Sequence, residues 1–243
     1  VLQEQNSFAG ITNKWLAGKA ERIFVAYEGM ERFFPADRIR LTGNPVRSQL
    51  AENIPGREEA LAHFDLDPQR KTLLVIGGSQ GAGRINSLVA SRRDFFEDRG
   101  VQLLWQCGRI YYEKYQDLEA DTVRVRAFIP EMEAAYAAAD LIISRAGAGT
   151  VSELCLVGKP VLFIPSPNVA EDHQAKNARA LVEKEAALCL AESELESGFE
   201  ARFSDLLDHP GLADRLGSNI RALARPEATK AIVDEMEQLL NNA

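Results

Sequence analysis

The stretch "DLIISRAGAGTVSELCLV", residues 140–157, reads as one complete structural step. Asp140 to Ser144 is a continuous apolar run of strand type. A turn of small residues, Ala146 to Gly149, follows, and a helix is expected from about Thr150. Strands that are unbroken Val/Ile/Leu runs are buried on both faces, the condition of a parallel sheet covered by helices. The same step recurs along the chain. Strands are expected at "TLLVI" (72–76), "VQLLWQ" (101–106), "TVRVRAFI" (122–129), "DLIIS" (140–144), "PVLFIP" (160–165) and "AALCLA" (186–191). Amphipathic stretches separate them: from about Arg84, near Tyr111, "EMEAAYAAA" (131–139), "TVSELCLV" (150–157) and "HQAKNARALVEK" (173–184). Six strands with five crossovers define an α/β, doubly wound, Rossmann-like parallel sheet.

The first 45 residues follow a different rhythm. "VLQEQN" reads as the end of a strand, "AGITNKWLAGKAER" (9–22) as a helix, and "IFVAY" (23–27) and "IRLTG" (39–43) as short strands, with Gly43 to Pro45 as a linker. Residues 1–45 are therefore expected to be the end of a preceding domain, and the chain, which starts at Val1, a fragment of a longer protein. Residues 46–225 form the main domain, and "PEATKAIVDEMEQLL" places a final helix in 226–243, Pro226 suiting its first turn. With 46% apolar residues and 26% charged ones, the 243 residues suit a folded globular chain. The formal net charge of −8, with scattered Lys and Arg, argues against nucleic acid as a partner. No stretch approaches the ~20 apolar residues of a membrane span. Cys107, Cys155 and Cys189 lack pairing motifs and read as buried thiols.

In an open parallel sheet, ligands bind beyond the carboxyl ends of the strands. Two loops there are rich in small residues. "VIGGSQGAGRIN" (75–86), with Gly77, Gly78, Ser79, Gln80 and Gly81, offers amides to a phosphate, yet lacks the glycine spacing of a dinucleotide site and the Gly-Lys-Ser/Thr of a nucleoside triphosphate loop. A tight turn with no ligand is the alternative. In the second loop, Ala148, Gly149 and Thr150 expose backbone at a helix start, where the dipole favours a diphosphate. Glu153 has two readings there: it completes a Thr-x-x-Glu capping box with Thr150, or it accepts hydrogen bonds from ribose hydroxyls. A third loop, "SPNVAEDHQAKNA" (166–178), brings His173, Gln174 and Asn177, suited to sugar hydroxyls; alternatively Asp172 caps the helix and His173 is a surface residue. His63 and His209 sit beside turn signals and read as solvated. "DLD" (65–67) has the look of a metal-binding pair, but Pro68 follows and no strand precedes it, so no metal site is assigned.

"QEQNSFAGITNK", "GNPVR", "GGSQGA", "FIPEMEAAYAAADLIISRAGAGTVSE" and "EDHQAKNA", in this order and spacing, resemble the MurG family of bacterial glycosyltransferases across nearly the whole chain. The resemblance implies the GT-B architecture, two Rossmann-like domains facing across a cleft, of which this chain matches the second and the tail of the first. It implies transfer of N-acetylglucosamine from UDP-N-acetylglucosamine to undecaprenyl-diphospho-N-acetylmuramoyl-pentapeptide (lipid I), giving lipid II for peptidoglycan. The transfer would be inverting and would need no metal or other cofactor. Arg47 and Ile129 would flank the uracil; Ser79, Gln80 and neighbouring amides would meet the diphosphate-sugar region. Ala148, Gly149 and Thr150 would hold the diphosphate, Glu153 the ribose, His173 and Gln174 the glucosamine hydroxyls. Asn6 would line the acceptor side, or else Asn6 or Ser7 is a helix N-cap. The general base and most of the membrane contact, on the cytoplasmic face of the bacterial inner membrane, would lie in the rest of the first domain. Many members have "HEQN" where this chain has Gln3, and glutamine where it has His173. The alternatives are a UDP-N-acetylglucosamine 2-epimerase, whose carboxylate and histidine constellation is not found here, and a non-catalytic nucleotide-sugar-binding subunit.

Overall fold

A computed structural model describes residues 1–47, 50, 54–78 and 80–241. Strands β1 (Leu2–Glu4), β2 (Ile23–Val25) and β3 (Ile39–Leu41) form a small parallel sheet, with helix α1 (Ile11–Leu16) between the first two. The expected helix over 9–22 is shorter because Gly10 is its N-cap and the chain tightens into a 3₁₀ turn at Ala17–Lys19. Neither Asn6 nor Ser7 is an N-cap.

Helix α2 (Arg57–His63) leads into the main sheet. Its strands are β4 (Lys71–Ile76), β5 (Val101–Gln106), β6 (Val123–Arg126), β7 (Leu141–Ser144), β8 (Val161–Phe163) and β9 (Leu188–Cys189), all parallel, in the order β6-β5-β4-β7-β8-β9. The order runs outward in both directions from the β4–β7 pair, as the alternation of strands and helices predicts. β6 and β9 are shorter than their apolar runs, since only these residues find a partner strand.

The crossovers are α3 (Gly83–Ser91) with α4 (Arg93–Asp98), α5 (Tyr112–Tyr115), α6 (Met132–Ala138), α7 (Ala148–Val157) and α8 (His173–Val182); α9 (Leu195–Asp208), α10 (Pro210–Ala222) and α11 (Ala228–Asn241) follow. Strand alternation splits the core into two faces. Leu74 and Ile76 pack with α2, α6 and α7, while Leu73 and Val75 pack with α3 and the Phe199–Phe203 side of α9. The buried Trp105 indole donates to Asn86 Oδ1 at 3.0 Å, so its polar edge is paired inside the second face.

Pro226 lies in a turn before α11 rather than in its first turn. The last helix returns to the first sheet: Glu235 pairs with Arg22 at 3.2 Å and Arg40 at 3.5 Å. Cys107 and Cys155 are buried, whereas Cys189 is half-buried.

Candidate functional site

The strand order reverses between β4 and β7, and in open parallel sheets ligands bind beyond the carboxyl ends of the strands at such a reversal. Both small-residue loops sit there, but for different reasons. In the loop after β4, packing demands glycine. Gly81 has φ +82°, and a Cβ on it would lie 1.9 Å from the Cys107 carbonyl oxygen; one on Gly77 would lie 2.6 Å from the Ala82 amide. Gln106 braces this loop, donating to the Gly78 carbonyl at 3.2 Å and accepting from the Ile129 amide at 2.8 Å. Gln80 is exposed, and Ser79 lies outside the described residues.

The turn after β7 is the opposite case. A Cβ on Gly149 would meet nothing within 4 Å, and one on Gly147 only the Thr150 hydroxyl at 3.9 Å. The fold does not need bare backbone here, and the space is open. α7 begins at Ala148, two residues earlier than its sequence suggests, with Gly147 at the N-cap and no side-chain cap. Thr150 is therefore inside the first turn, and the capping-box reading of Thr150 and Glu153 is overturned. Helix geometry leaves the Ala148, Gly149 and Thr150 amides without a partner one turn back, at the positive end of the dipole.

Glu153, freed from capping, turns toward α6. Its Oε2 accepts from the Tyr136 hydroxyl at 3.2 Å, and Oε1 stands 3.6 Å from Arg47 Nε. Its side chain is 18% exposed and that of Arg47 50%. Burial raises the Glu153 carboxyl above its ordinary pKa; Arg47 and the Tyr136 bond oppose this. The result is a carboxylate at the crevice rim, held on one side by a phenol and on the other by a mobile-stemmed cation. Ile129 contributes differently: at 1% exposure its side chain belongs to the core, so only its backbone can face a bound ring.

α8 closes the third side. Asp172 occupies its N-cap position with φ +53° and no side-chain cap bond, so the capping reading of that residue is not met. His173 and Gln174 open the helix, and Gln174 Oε1 accepts from the Ser166 amide at 2.9 Å, fixing the preceding loop. Asn177, fully buried, joins three places: it accepts from the Ser7 amide (2.9 Å) and donates to Asn6 Oδ1 (3.0 Å) and to the Ala146 carbonyl (3.2 Å). Asn44 does the same from the linker, donating to the Gln5 carbonyl and the Ser152 hydroxyl, both at 3.0 Å. Asn6 is thus joined to the helix of His173 and Gln174.

Tyr136 and Asn44 were not singled out as site residues in the sequence, and Asn177, read there beside His173 and Gln174 as a group for sugar hydroxyls, is instead fully buried and spends its amide on Ser7, Asn6 and Ala146. Tyr136 is the single polar-tipped aromatic of the Ala-rich α6, which is the signal it offered; the asparagines carry no local signal, because their partners are distant in sequence. Asp65 pairs with Arg124 at 2.8 Å and Asp67 accepts from the Gln69 amide, so the "DLD" carboxylates have local structural uses. Among the described residues, no group of three or more His, Cys, Asp or Glu is placed to hold a metal ion.

A parallel sheet reversing at a glycine-lined crevice, with a second small parallel sheet beside it, is the fold of a GT-B glycosyltransferase. A family model for the glycosyltransferase family 28 C-terminal domain matches residues 72–229. The chain therefore belongs to glycosyltransferase family 28, and within it to the MurG family. A relative from Flavobacterium psychrophilum, named UDP-N-acetylglucosamine–N-acetylmuramyl-(pentapeptide) pyrophosphoryl-undecaprenol N-acetylglucosamine transferase, is 52% identical over 243 residues, covering 100% of this chain and 66% of the relative. A relative of the same name from Parabacteroides distasonis is 50% identical, covering 99% and 67%. The crystal structure of Acinetobacter baumannii MurG superposes with a TM-score of 0.78 at 31% identity, over 98% of this chain and 66% of that one. A Neisseria meningitidis UDP-N-acetylglucosamine 2-epimerase, at 16% identity and TM-score 0.64, shares the fold alone. The chain spans about two thirds of the length of the curated relatives it matches.

Proposed function

We propose that this chain is the donor-binding part of an enzyme that transfers N-acetylglucosamine from UDP-N-acetylglucosamine to undecaprenyl-diphospho-N-acetylmuramoyl-pentapeptide. The observation that carries the reading is the open turn at Gly147 and Gly149, at a helix start with no side-chain cap whose first amides have no acceptor one turn back, and the Glu153 carboxylate one turn further along the same helix. The amides of Ala148 to Thr150 take the diphosphate, and Glu153 takes the ribose hydroxyls. Arg47 and the main chain at Ile129 flank the uracil. His173 and Gln174 face the sugar, with Asn6 on the acceptor side. Residues 1–45 form the acceptor-side unit, 46–225 the donor domain, and 226–243 the C-terminal segment, whose helix α11 (Ala228–Asn241) returns to the first sheet.

The chemistry is an inverting displacement. The acceptor's C4 hydroxyl attacks the anomeric carbon from the face opposite the departing UDP, and its proton goes to a general base outside the residues described here. Charge grows on the leaving diphosphate, where preorganised amides at a helix start stabilise it. No metal or cofactor is assigned a step. The enzyme works at the cytoplasmic face of the inner membrane; no described helix is long and apolar enough to cross it.

Calorimetric titration in metal-free buffer tests the donor site. UDP-N-acetylglucosamine should bind in preference to UDP-N-acetylgalactosamine, with no binding of NAD. Binding of NAD without either sugar nucleotide would overturn the proposal.

A further inference from the structure

Away from the donor crevice, a pocket of about 440 Å³ lies where the first sheet's loops meet α8. Its walls include Phe8 and Phe33, whose rings pack edge to face with centroids 4.8 Å apart. Three cations lie over these rings and a fourth lines the pocket. Lys176 Nζ stands 3.4 Å from the Phe8 centroid and Lys14 Nζ 4.3 Å from it, with Phe33 5.0 Å from Lys14. Arg32 lies over Phe33 at 4.8 Å, and Arg179 lines the same pocket.

The pairing of these charges is what makes the cluster unusual. Among the described residues, none of the four is in an ion pair, though Arg32 donates to the Ser7 carbonyl at 2.8 Å, and one carboxylate, Glu183, lines the pocket. Lys14 and Lys176 share one ring, which holds their ammonium groups within about a Debye length, ~8 Å, of each other. Ring faces attract each cation but do not cancel the repulsion between them. This concentration stands out in a chain of net charge −8.

We infer that the pocket is a second anion site, for a phosphate-type group. Such a group can meet ammonium and guanidinium donors from both units at once, whereas a single carboxylate cannot satisfy four cations. The site is separate from the donor turn. Lys176 precedes Asn177, which touches Ala146, yet Lys176 itself faces Phe8 on the opposite unit. The inference stands whether or not the donor crevice takes UDP. The phosphate group has two sources, a free diphosphate or the headgroup of an anionic lipid. Near Lys14 on α1, Ile11 and Trp15 are exposed, Trp15 at 82%.

The test is a titration of the chain with sodium pyrophosphate under saturating UDP, repeated on Gly149→Trp, which blocks the donor turn by bulk. Binding should persist in both. Lys176→Glu with Arg179→Glu should weaken it tenfold or more, and Lys14→Gln, on the other unit, should weaken it by less in the same direction. A parallel arm measures co-sedimentation with phosphatidylglycerol vesicles and with phosphatidylcholine vesicles. Charge-dependent binding of pyrophosphate alone identifies a soluble ligand. Charge-dependent binding of phosphatidylglycerol vesicles alone identifies a lipid headgroup. Loss of pyrophosphate binding when UDP is added or Gly149 is replaced, indifference to the charge changes, or no binding in either arm would each overturn the inference.

Discussion

The Tyr136 hydroxyl donates to Glu153 Oε2 at 3.2 Å, tying a buried residue of α6 to the carboxylate at the crevice rim. Burial pushes the Tyr136 phenol up, so it stays a donor throughout the useful pH range. Tyr136→Phe removes that donor and leaves the carboxylate with Arg47 alone. The expected cost is about 1–3 kcal/mol of stability, with a further rise in the Glu153 pKa and a severalfold loss of uridine nucleotide affinity. Urea denaturation and calorimetry read the two effects; an unchanged midpoint would mean the bond does not form in solution.

Glu153→Gln separates stability from binding. Because burial raises the Glu153 carboxyl, the folded chain holds that proton more tightly than the unfolded one. Its contribution to stability therefore falls as pH rises from the ordinary carboxylate value through the raised one, and is constant outside that window. Glutamine still accepts from Tyr136 and carries no such penalty. Stability at neutral pH should stay level or rise and this part of the pH slope should vanish, while nucleotide affinity drops tenfold or more as charge-assisted bonds to the ribose are lost. Denaturation curves at several pH values check the sign, and a steeper slope in the variant would contradict it.

Two glycines should answer to the same substitution in opposite ways. Gly149→Ala meets no neighbour and adds a better helix former near the start of α7, raising stability by up to about 1 kcal/mol. Its methyl projects into the space proposed for the diphosphate, so affinity should fall. Gly81→Ala must adopt φ +82° and collide with the Cys107 carbonyl, costing more than about 2 kcal/mol. Thermal midpoints of the two variants, with and without UDP, distinguish a ligand-facing glycine from a packing one.

The main sheet was readable because its strands are continuous apolar runs and its crossovers amphipathic; a Leu73-Leu74-Val75-Ile76 run has two residues for each face and no other place to go. What the local pattern misjudged was the start of α7. Thr-x-x-Glu is the usual sign of a helix start, yet here Gly147 takes the cap and Glu153 is drawn away by Tyr136 and Arg47, partners 17 and 106 residues distant in the chain. The structural roles of Asn44 and Asn177 were opaque for the same reason, and Asn177 was read as a ligand group. An asparagine's worth depends on which backbone groups it meets, and those belong to other elements.

Asn177 carries the most concentrated of these long-range demands. Its single amide satisfies the Ser7 N–H, the Ala146 carbonyl and the Asn6 side chain, all in a fully buried position between the two units. Asn177→Leu leaves a backbone donor and a backbone acceptor buried and unpaired, for an expected loss of about 2–5 kcal/mol. Asn177→Asp still accepts from Ser7 but buries a carboxylate against the Ala146 carbonyl and Asn6 Oδ1, so its cost should equal or exceed that of leucine. Asn6→Ala removes one side-chain bond alone and should cost least, about 1 kcal/mol. Costs for both Asn177 variants well above that of Asn6→Ala in denaturation midpoints would establish Asn177 as the joint between the Asn6–Ser7 loop and the turn after β7. Equal midpoints for all three would place the stability of that junction in the surrounding apolar contacts instead.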